Sequence, residues 1–280
     1  MDRFERVSTT LRHAAGLERI EWLWNSIRPA YDRTLRLLSG GSGIERVING
    51  TDPLRLMVDY RSMGEIYEPG VWRQVMEAVR PGDFVADVGA YVGLYSMALG
   101  RRVGETGRIY AFEPDPRNAA ALERHVILNG LDDRVILVRA AAAAKTGLEC
   151  FVSRGDSESH LLPPHQAGAV ATTLTVRLDE IFGETRLDLL KLDVEGFEEH
   201  VLHGAETILR RSVGGPRVIF IEVHPFAWPA AGTSSASFLG FLRDCGYEVH
   251  YLDGRAVDEV RDYGEVIARP MNIRHADQTS

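Results

Sequence analysis

The chain has 280 residues, 45% hydrophobic and 26% charged, with 27 Gly, 12 Pro and 2 Cys; this globular composition excludes disordered, collagen-like and disulfide-stapled classes. Its 40 acidic against 32 basic residues, a net charge of −8, count against a general affinity for nucleic-acid phosphates. No stretch approaches the roughly 20 apolar residues that span a bilayer, the charged start MDRFERVSTTLRHAAG lacks a signal peptide's apolar core, and two distant cysteines form neither a framework nor a four-thiolate zinc site, so a soluble, unprocessed, cytoplasmic protein is expected.

From Met1 to Leu38 apolar residues recur at helical spacing (Leu17, Ile20, Leu23, Trp24, Ile27, Tyr31, Leu35, Leu38), interrupted by Pro29 and ended by the SGGSG run at Ser39–Gly43. This arm is decorated with arginines, Arg3 to Arg36, read first as a solvated face. Short alternating segments, Arg46–Asn49 and Leu54–Asp59, predict a small hairpin. The arm and hairpin, residues 1–66, precede a domain over 67–275 in which strands and helices alternate. VWRQVMEAVR reads as a helix, FVADVG as a strand, YVGLYSMALGRRVG as a helix, RIYAFEP as a strand, DPRNAAALERHVILNG as a helix and RVILVRAA as a strand. LDLLKLDV, RVIFIEV and YEVHYL are further strands, with EEHVLHGAETILRR and SFLGFLRDCG as helices between them. Near-continuous apolar strands in βα alternation imply an α/β fold with a doubly wound, mostly parallel sheet. Ser153–Ala169, polar and Pro-interrupted, reads as a long functional loop.

The first strand of the domain ends in Asp87-Val88-Gly89-Ala90-Tyr91-Val92-Gly93 and runs straight into a helix. In an open α/β sheet, ligands bind at the carboxyl ends of the strands, where glycines let the backbone approach them. The second strand ends in Glu113, roughly 20 residues on, where an acid can accept both hydroxyls of a ribose. This order points to a nucleotide-type ligand without separating NAD from S-adenosylmethionine. Asp87 tilts the choice: it stands where a dinucleotide fingerprint has its first glycine, and its charge repels a pyrophosphate but suits ammonium and sulfonium groups.

These residues, DVGAYVGLYS, AFEPDP, Asn129 and above all LDLLKLDVEGFEEHVLHGA followed by VIFIEVHP, resemble the FkbM-type S-adenosylmethionine-dependent methyltransferases from about Glu65 to Tyr251. The resemblance implies a class I methyltransferase fold, a Rossmann-like seven-stranded sheet of order 3-2-1-4-5-7-6 with an antiparallel last strand, and methylation of hydroxyls on sugars or natural-product scaffolds. It implies that Asp87, Gly89, Ala90, Gly93 and Ser96 line the methionine end of the cofactor, that Glu113 and Pro114 meet the ribose, and that Tyr67 and Glu68 of the IYEPG segment close over it. The stretch Ala141-Ala142-Ala143-Ala144 departs from the family pattern beside the adenine, so backbone amides of Ala141 and Ala142 are expected to stand in for side chains.

At the chemical end, alternation puts Lys191 and Asp193 on one side of a strand, with Glu195 just beyond, and Glu222 and His224 on one side of the next. Ionisable groups inside apolar strands need partners, and Lys191 is expected to pair with an acid. Methyl transfer to a hydroxyl needs the oxygen aligned and relieved of its proton. Asp193, which also touches the cofactor, is the first candidate for that role, with Glu195 and His224 as the others. His160 is a weaker candidate for a substrate contact. A divalent metal on Asp193, Glu222 and His224 is an alternative, but related methyltransferases that use one carry adjacent acids where Val223 interrupts here, and no metal is assigned. Trp22, Trp24, Trp72 and Trp228 offer faces for a sugar, though most large aromatics are core. The acceptor is expected to be a small molecule; the arm is a candidate dimerisation element. An NAD-dependent oxidoreductase on the same sheet and a non-catalytic binding module remain the competing readings.

Overall fold

The computed structural model describes residues 29–30, 33–63, 65–152, 160–161 and 171–271. Most of the predicted arm, with Trp22 and Trp24, and most of the 153–169 segment lie outside the described residues, as does the side chain of His160; residues 33–39 are helical. The hairpin forms as expected from β1 (Ile44–Ile48) and β2 (Asp52–Leu56), antiparallel with Ile44 opposite Leu56. Alternation along it sends Ile48, Leu54 and Leu56 inward.

The domain then runs through α1 (Pro69–Ala78), β3 (Phe84–Val88), α2 (Leu94–Val103), β4 (Arg108–Phe112), α3 (Pro116–Leu128), β5 (Val135–Val138) and β6 (Ala141–Ala142). It continues with β7 (Gly147–Val152), β8 (His160–Leu161), β9 (Ala171–Val176), α4 (Leu178–Phe182), β10 (Leu189–Leu192), α5 (Glu198–Gly204) and α6 (Glu206–Leu209). It closes with β11 (Val218–Val223), α7 (Trp228–Ala231), α8 (Ser235–Asp244), β12 (Tyr247–Tyr251) and β13 (Gly264–Pro270). Seven strands pair in the order β5-β4-β3-β10-β11-β13-β12, with β13 antiparallel to both neighbours and the pairs from β5 to β11 parallel. Numbered within this sheet, that is the order 3-2-1-4-5-7-6, the class I methyltransferase topology.

The strands are apolar on both faces because both are covered. On one face the hairpin residues Ile48, Leu54 and Leu56 pack with Val71, Trp72 and Val75 of α1, Met97 and Leu99 of α2 and Leu122 of α3. On the other, Leu178 and Phe182, Val201 and Leu202, Ile208, and Phe238 and Leu242 pack with Leu190, Leu192 and Ile219. The direction of sheet growth reverses between β3 and β10, where a ligand crevice is expected at the strand ends. Register there sets Lys191 opposite Asp87 and Leu192 opposite Val88.

Two expectations about elements change. The helix predicted through EEHVLHGAETILRR breaks at Ala205 into α5 and α6; at the break Gly204 packs so closely on the chain after β6 that a Cβ there would lie 2.0 Å from the carbonyl oxygen of Ala143. The long segment predicted only as a loop is flanked by strands: β7 pairs antiparallel with β9, and β6 and β8 complete a four-stranded sheet beside the main one. Leu148 and Leu174 are exposed while Thr173 and Thr175 are buried with Phe151 and Val176, so the apolar–polar alternation that would announce these strands is broken.

Candidate active site

The end of β3 and the start of α2 are held together by a turn that only particular residues can make. Gly89 has φ +79°, and a Cβ on it would sit 1.7 Å from the carbonyl oxygen of Asp193, so the β3 and β10 ends touch backbone to backbone. Gly93 has φ +87°, and Tyr91 between them is also left-handed at φ 50°. That turn aims the Tyr91 N–H at Glu113 Oε2 (2.8 Å), while the Asp115 N–H donates to Oε1 (2.8 Å). Burial pushes the Glu113 carboxyl up to about 8 even against these two donors. Asp115 in turn caps α3, accepting from the N–H groups of Arg117 and Asn118.

Asp87 is fully buried. Ser96 Oγ donates to its Oδ2 (2.6 Å), and its Oδ1 has no hydrogen-bond partner. Burial raises its pKa, opposed by the charge of Lys191. Lys191 lies 3.5 Å from Asp193 Oδ2 and 4.6 Å above the Tyr95 ring. Burial works against its charge, but Asp193 and Asp87 outweigh that and hold it as an ammonium. The lysine–acid pair expected from sequence is therefore present, and it neutralises part of a strongly anionic crevice. Tyr95 donates its hydroxyl to Glu68 Oε2 (2.8 Å), and Tyr67 packs edge-on to Tyr95.

These groups border a cavity of about 70 Å3 that opens to solvent. Tyr67, Asp87, Gly89, Ala90, Glu113, Pro114, Ala141, Ala142 and Asp193 line it. Among the other expected cofactor residues, Ser96 supports Asp87 from behind, Glu68 anchors Tyr95, and Gly93 sets the turn. Phe151, Leu161, Val194 and Phe197 add an apolar wall that the sequence reading did not include. Phe197 was within reach, since it sits in the KLDVEGFE motif; Phe151 and Leu161 depend on the small sheet folding over the cleft.

Beside this cavity, past the end of β10, Asp193, Glu195 and His224 each offer a ligand atom within 4.8 Å of the others. His224 is buried, and its Nδ1 lies 2.7 Å from Glu198 Oε1. Glu198 is itself fully buried, accepting from Gly196 N–H (2.9 Å) and from Trp228 Nε1 (2.7 Å). On the other side of the ring, Nε2 stands 3.5 Å from Glu195 Oε2 and 3.9 Å from Glu222 Oε1. Burial would lower the imidazole pKa, but the hydrogen bond to Glu198 and the charges of Glu198, Glu195 and Asp193 raise it to about 9. Glu222 is pushed up to about 7 by burial and by Asp193, and accepts a hydrogen bond from the Tyr263 hydroxyl. Glu198 was missed at the sequence level although it too belongs to the KLDVEGFE segment, because a glutamate in the first turn of a helix reads as a surface acid.

Two aromatic candidates take other roles. Trp72 and Trp228 are each 2% exposed and hydrogen-bond to Asp52 and Glu198, so they are core residues and offer no face to a sugar.

The unsatisfied buried Asp87 oxygen, the pinned Glu113 carboxylate and the apolar wall suit a ligand with a cationic end, a ribose and a flat apolar base. S-adenosylmethionine fits that description, with Asp87 facing the cationic end and Glu113 the ribose. Residues 87–249 match the methyltransferase FkbM domain model. The chain is 30% identical over 181 residues to 31-O-demethyl-FK506 methyltransferase FkbM of Streptomyces tacrolimicus, covering 52% of this chain and 67% of that protein. Solved structures similar to it include a putative rRNA methylase from Clostridium thermocellum (13% identity, 71% of this chain and 90% of that one, TM-score 0.46). A SAM-dependent O-methyltransferase from Thermotoga maritima is similar at 18% identity over 73% of this chain and 65% of that one, TM-score 0.44. At such likeness these two add nothing to the assignment, which rests on the domain match and on the strand order. The chain belongs to the FkbM family and is an S-adenosylmethionine-dependent methyltransferase.

Proposed function

We propose that the chain transfers a methyl group to a hydroxyl of a small molecule, a sugar or a natural-product scaffold. The observation that carries this reading is the position of Asp193, a carboxylate at the end of β10 that lines the cofactor cavity on one side and meets Glu195 and His224 on the other. The name of the Streptomyces tacrolimicus relative, which specifies an O-demethyl natural product as substrate, supports it.

Bound S-adenosylmethionine would supply an electrophilic methyl on a sulfonium. This chain's residues then have separate tasks. Asp193 accepts the hydroxyl proton of the acceptor at a carboxylate oxygen as the oxygen attacks. Lys191 neutralises Asp87 and keeps Asp193 oriented. His224, with its Nδ1 fixed by Glu198, stands between Glu195 and Glu222 and sets their positions. A cytoplasmic location fits the two free cysteines, and no helix among the described residues is long and apolar enough to cross a membrane.

The test is in two stages. S-adenosylhomocysteine should raise the melting temperature by linkage, and NADH, the ligand of the oxidoreductase reading, should not. Incubation with labelled cofactor and a panel of glycosides, macrolides and peptides, read by mass spectrometry, should then place the methyl on oxygen. Transfer to nitrogen or carbon alone would overturn the hydroxyl assignment.

A further inference from the structure

The acceptor end of the cleft concentrates carboxylates around one imidazole. His224 has a side chain only 3% exposed, and its Nδ1 is committed to Glu198, which fixes the direction of Nε2. That Nε2 makes no hydrogen bond among the described residues: its neighbours Glu195 and Glu222 stand off at 3.5 and 3.9 Å. A buried imidazole nitrogen thus faces two carboxylate oxygens at 3.5 and 3.9 Å, with Asp193 close by. A carboxylate on the far nitrogen of an imidazole is the arrangement that orients a metal-ligating histidine and raises its basicity.

We propose that Asp193, Glu195 and His224 bind one divalent cation of the Mg2+/Mn2+ class, with Glu198 as the outer carboxylate that aims His224. The Glu222 of the sequence-level alternative is replaced by Glu195, which the left-handed backbone at φ 53° turns back toward β11. Oxygen ligands two to one over nitrogen suit this class of ion better than a thiolate-seeking one. Adjacent ligands of a Mg2+-sized octahedral ion lie about 3 Å apart and opposite ones about 4.2 Å. The three ligand atoms, all within 4.8 Å of one another, reach that spacing by small side-chain shifts. The use of the ion, polarising an acceptor oxygen beside Asp193, rests on the methyl-transfer reading; the binding itself does not.

The experiment is Mn2+ titration of the EDTA-treated full chain, followed by electron paramagnetic resonance, with S-adenosylhomocysteine stabilisation measured on the same samples. One Mn2+ per chain is expected, displaced by Mg2+, with affinity falling about tenfold or more in Glu195→Gln and about 10–100-fold in Glu198→Gln. Glu195→Gln should keep its stabilisation by S-adenosylhomocysteine, which shows that it is folded even if the buried Glu198 variant is not. Absence of bound Mn2+ in a wild-type chain that S-adenosylhomocysteine does stabilise would overturn the metal site and leave the methyltransferase intact; His224 would then be an imidazolium paired with its acids. Equal Mn2+ affinity in the wild type and Glu195→Gln would also overturn it.

Discussion

On the β3–β4 side of the cleft, polar groups are held by the backbone: each oxygen of Glu113 takes an N–H, and the glycine turn leans on the Asp193 carbonyl. On the β10–β11 side, His224, Glu195, Glu198, Glu222 and Tyr263 meet chiefly through one another's side chains, drawn from separate segments. The first arrangement is fixed before any ligand arrives and can serve a ligand that never changes. The second leaves charge unbalanced and aromatic surface exposed, Phe226 at 72% and Tyr263 at 60%, as suits a region that must adapt to an acceptor. Substitutions on the two sides should accordingly fail in different ways.

The largest effect is expected from Asp193→Asn: methyl transfer should fall by roughly 10²–10⁴-fold, while stabilisation by S-adenosylhomocysteine persists. If turnover survives, the base lies elsewhere and the division between the two sides is misplaced. Gly89→Ala attacks the backbone side. Its Cβ would overlap the Asp193 carbonyl at a left-handed φ, so unfolding in urea should show a loss of at least ~2 kcal/mol and cofactor binding should vanish with it.

Glu113→Gln should weaken S-adenosylhomocysteine binding about 10–100-fold, the worth of charge-assisted hydrogen bonds, and calorimetry would measure it. It also carries a pH signature. The free carboxyl is raised to about 8, and ribose hydroxyls donate best to the ionised form, so affinity should rise as pH climbs toward about 8 and then level; the slope should disappear in Glu113→Gln. The same raised pKa makes the ionised form the less stable one in the folded chain. This group's contribution to stability is therefore greatest below its unfolded value and declines as pH rises toward about 8. Smallest is Tyr263→Phe, which removes one hydroxyl bonded to Glu222 on an exposed ring. Stability should change by under about 1 kcal/mol, and any effect should appear in the acceptor KM with cofactor affinity unchanged.

The same contrast explains how far the sequence could be read. Asp87, the glycine turn and Glu113 lie in one unbroken strand–turn–helix–strand segment, where local geometry dictates residue type: only glycine fits at position 89, and only an acid after β4 can collect the N–H groups there. That the sheet is mostly parallel was likewise legible, because parallel strands buried on both faces are written as apolar runs; its strand order came only with the resemblance to the FkbM family. The small sheet was not, since β7 and β9 bury few residues per strand and owe their pairing to each other. Glu198 shows the limit most clearly. By itself it is one of two adjacent glutamates opening a helix, and only tertiary packing buries it between His224 and Trp228. The sequence by itself determined the α/β class and the glycine turn between β3 and α2 with Glu113 beside it, because those depend on periodicity and on what a backbone can do. The tertiary structure alone decided the cluster around His224, where a charge acquires its meaning from neighbours that are distant along the chain.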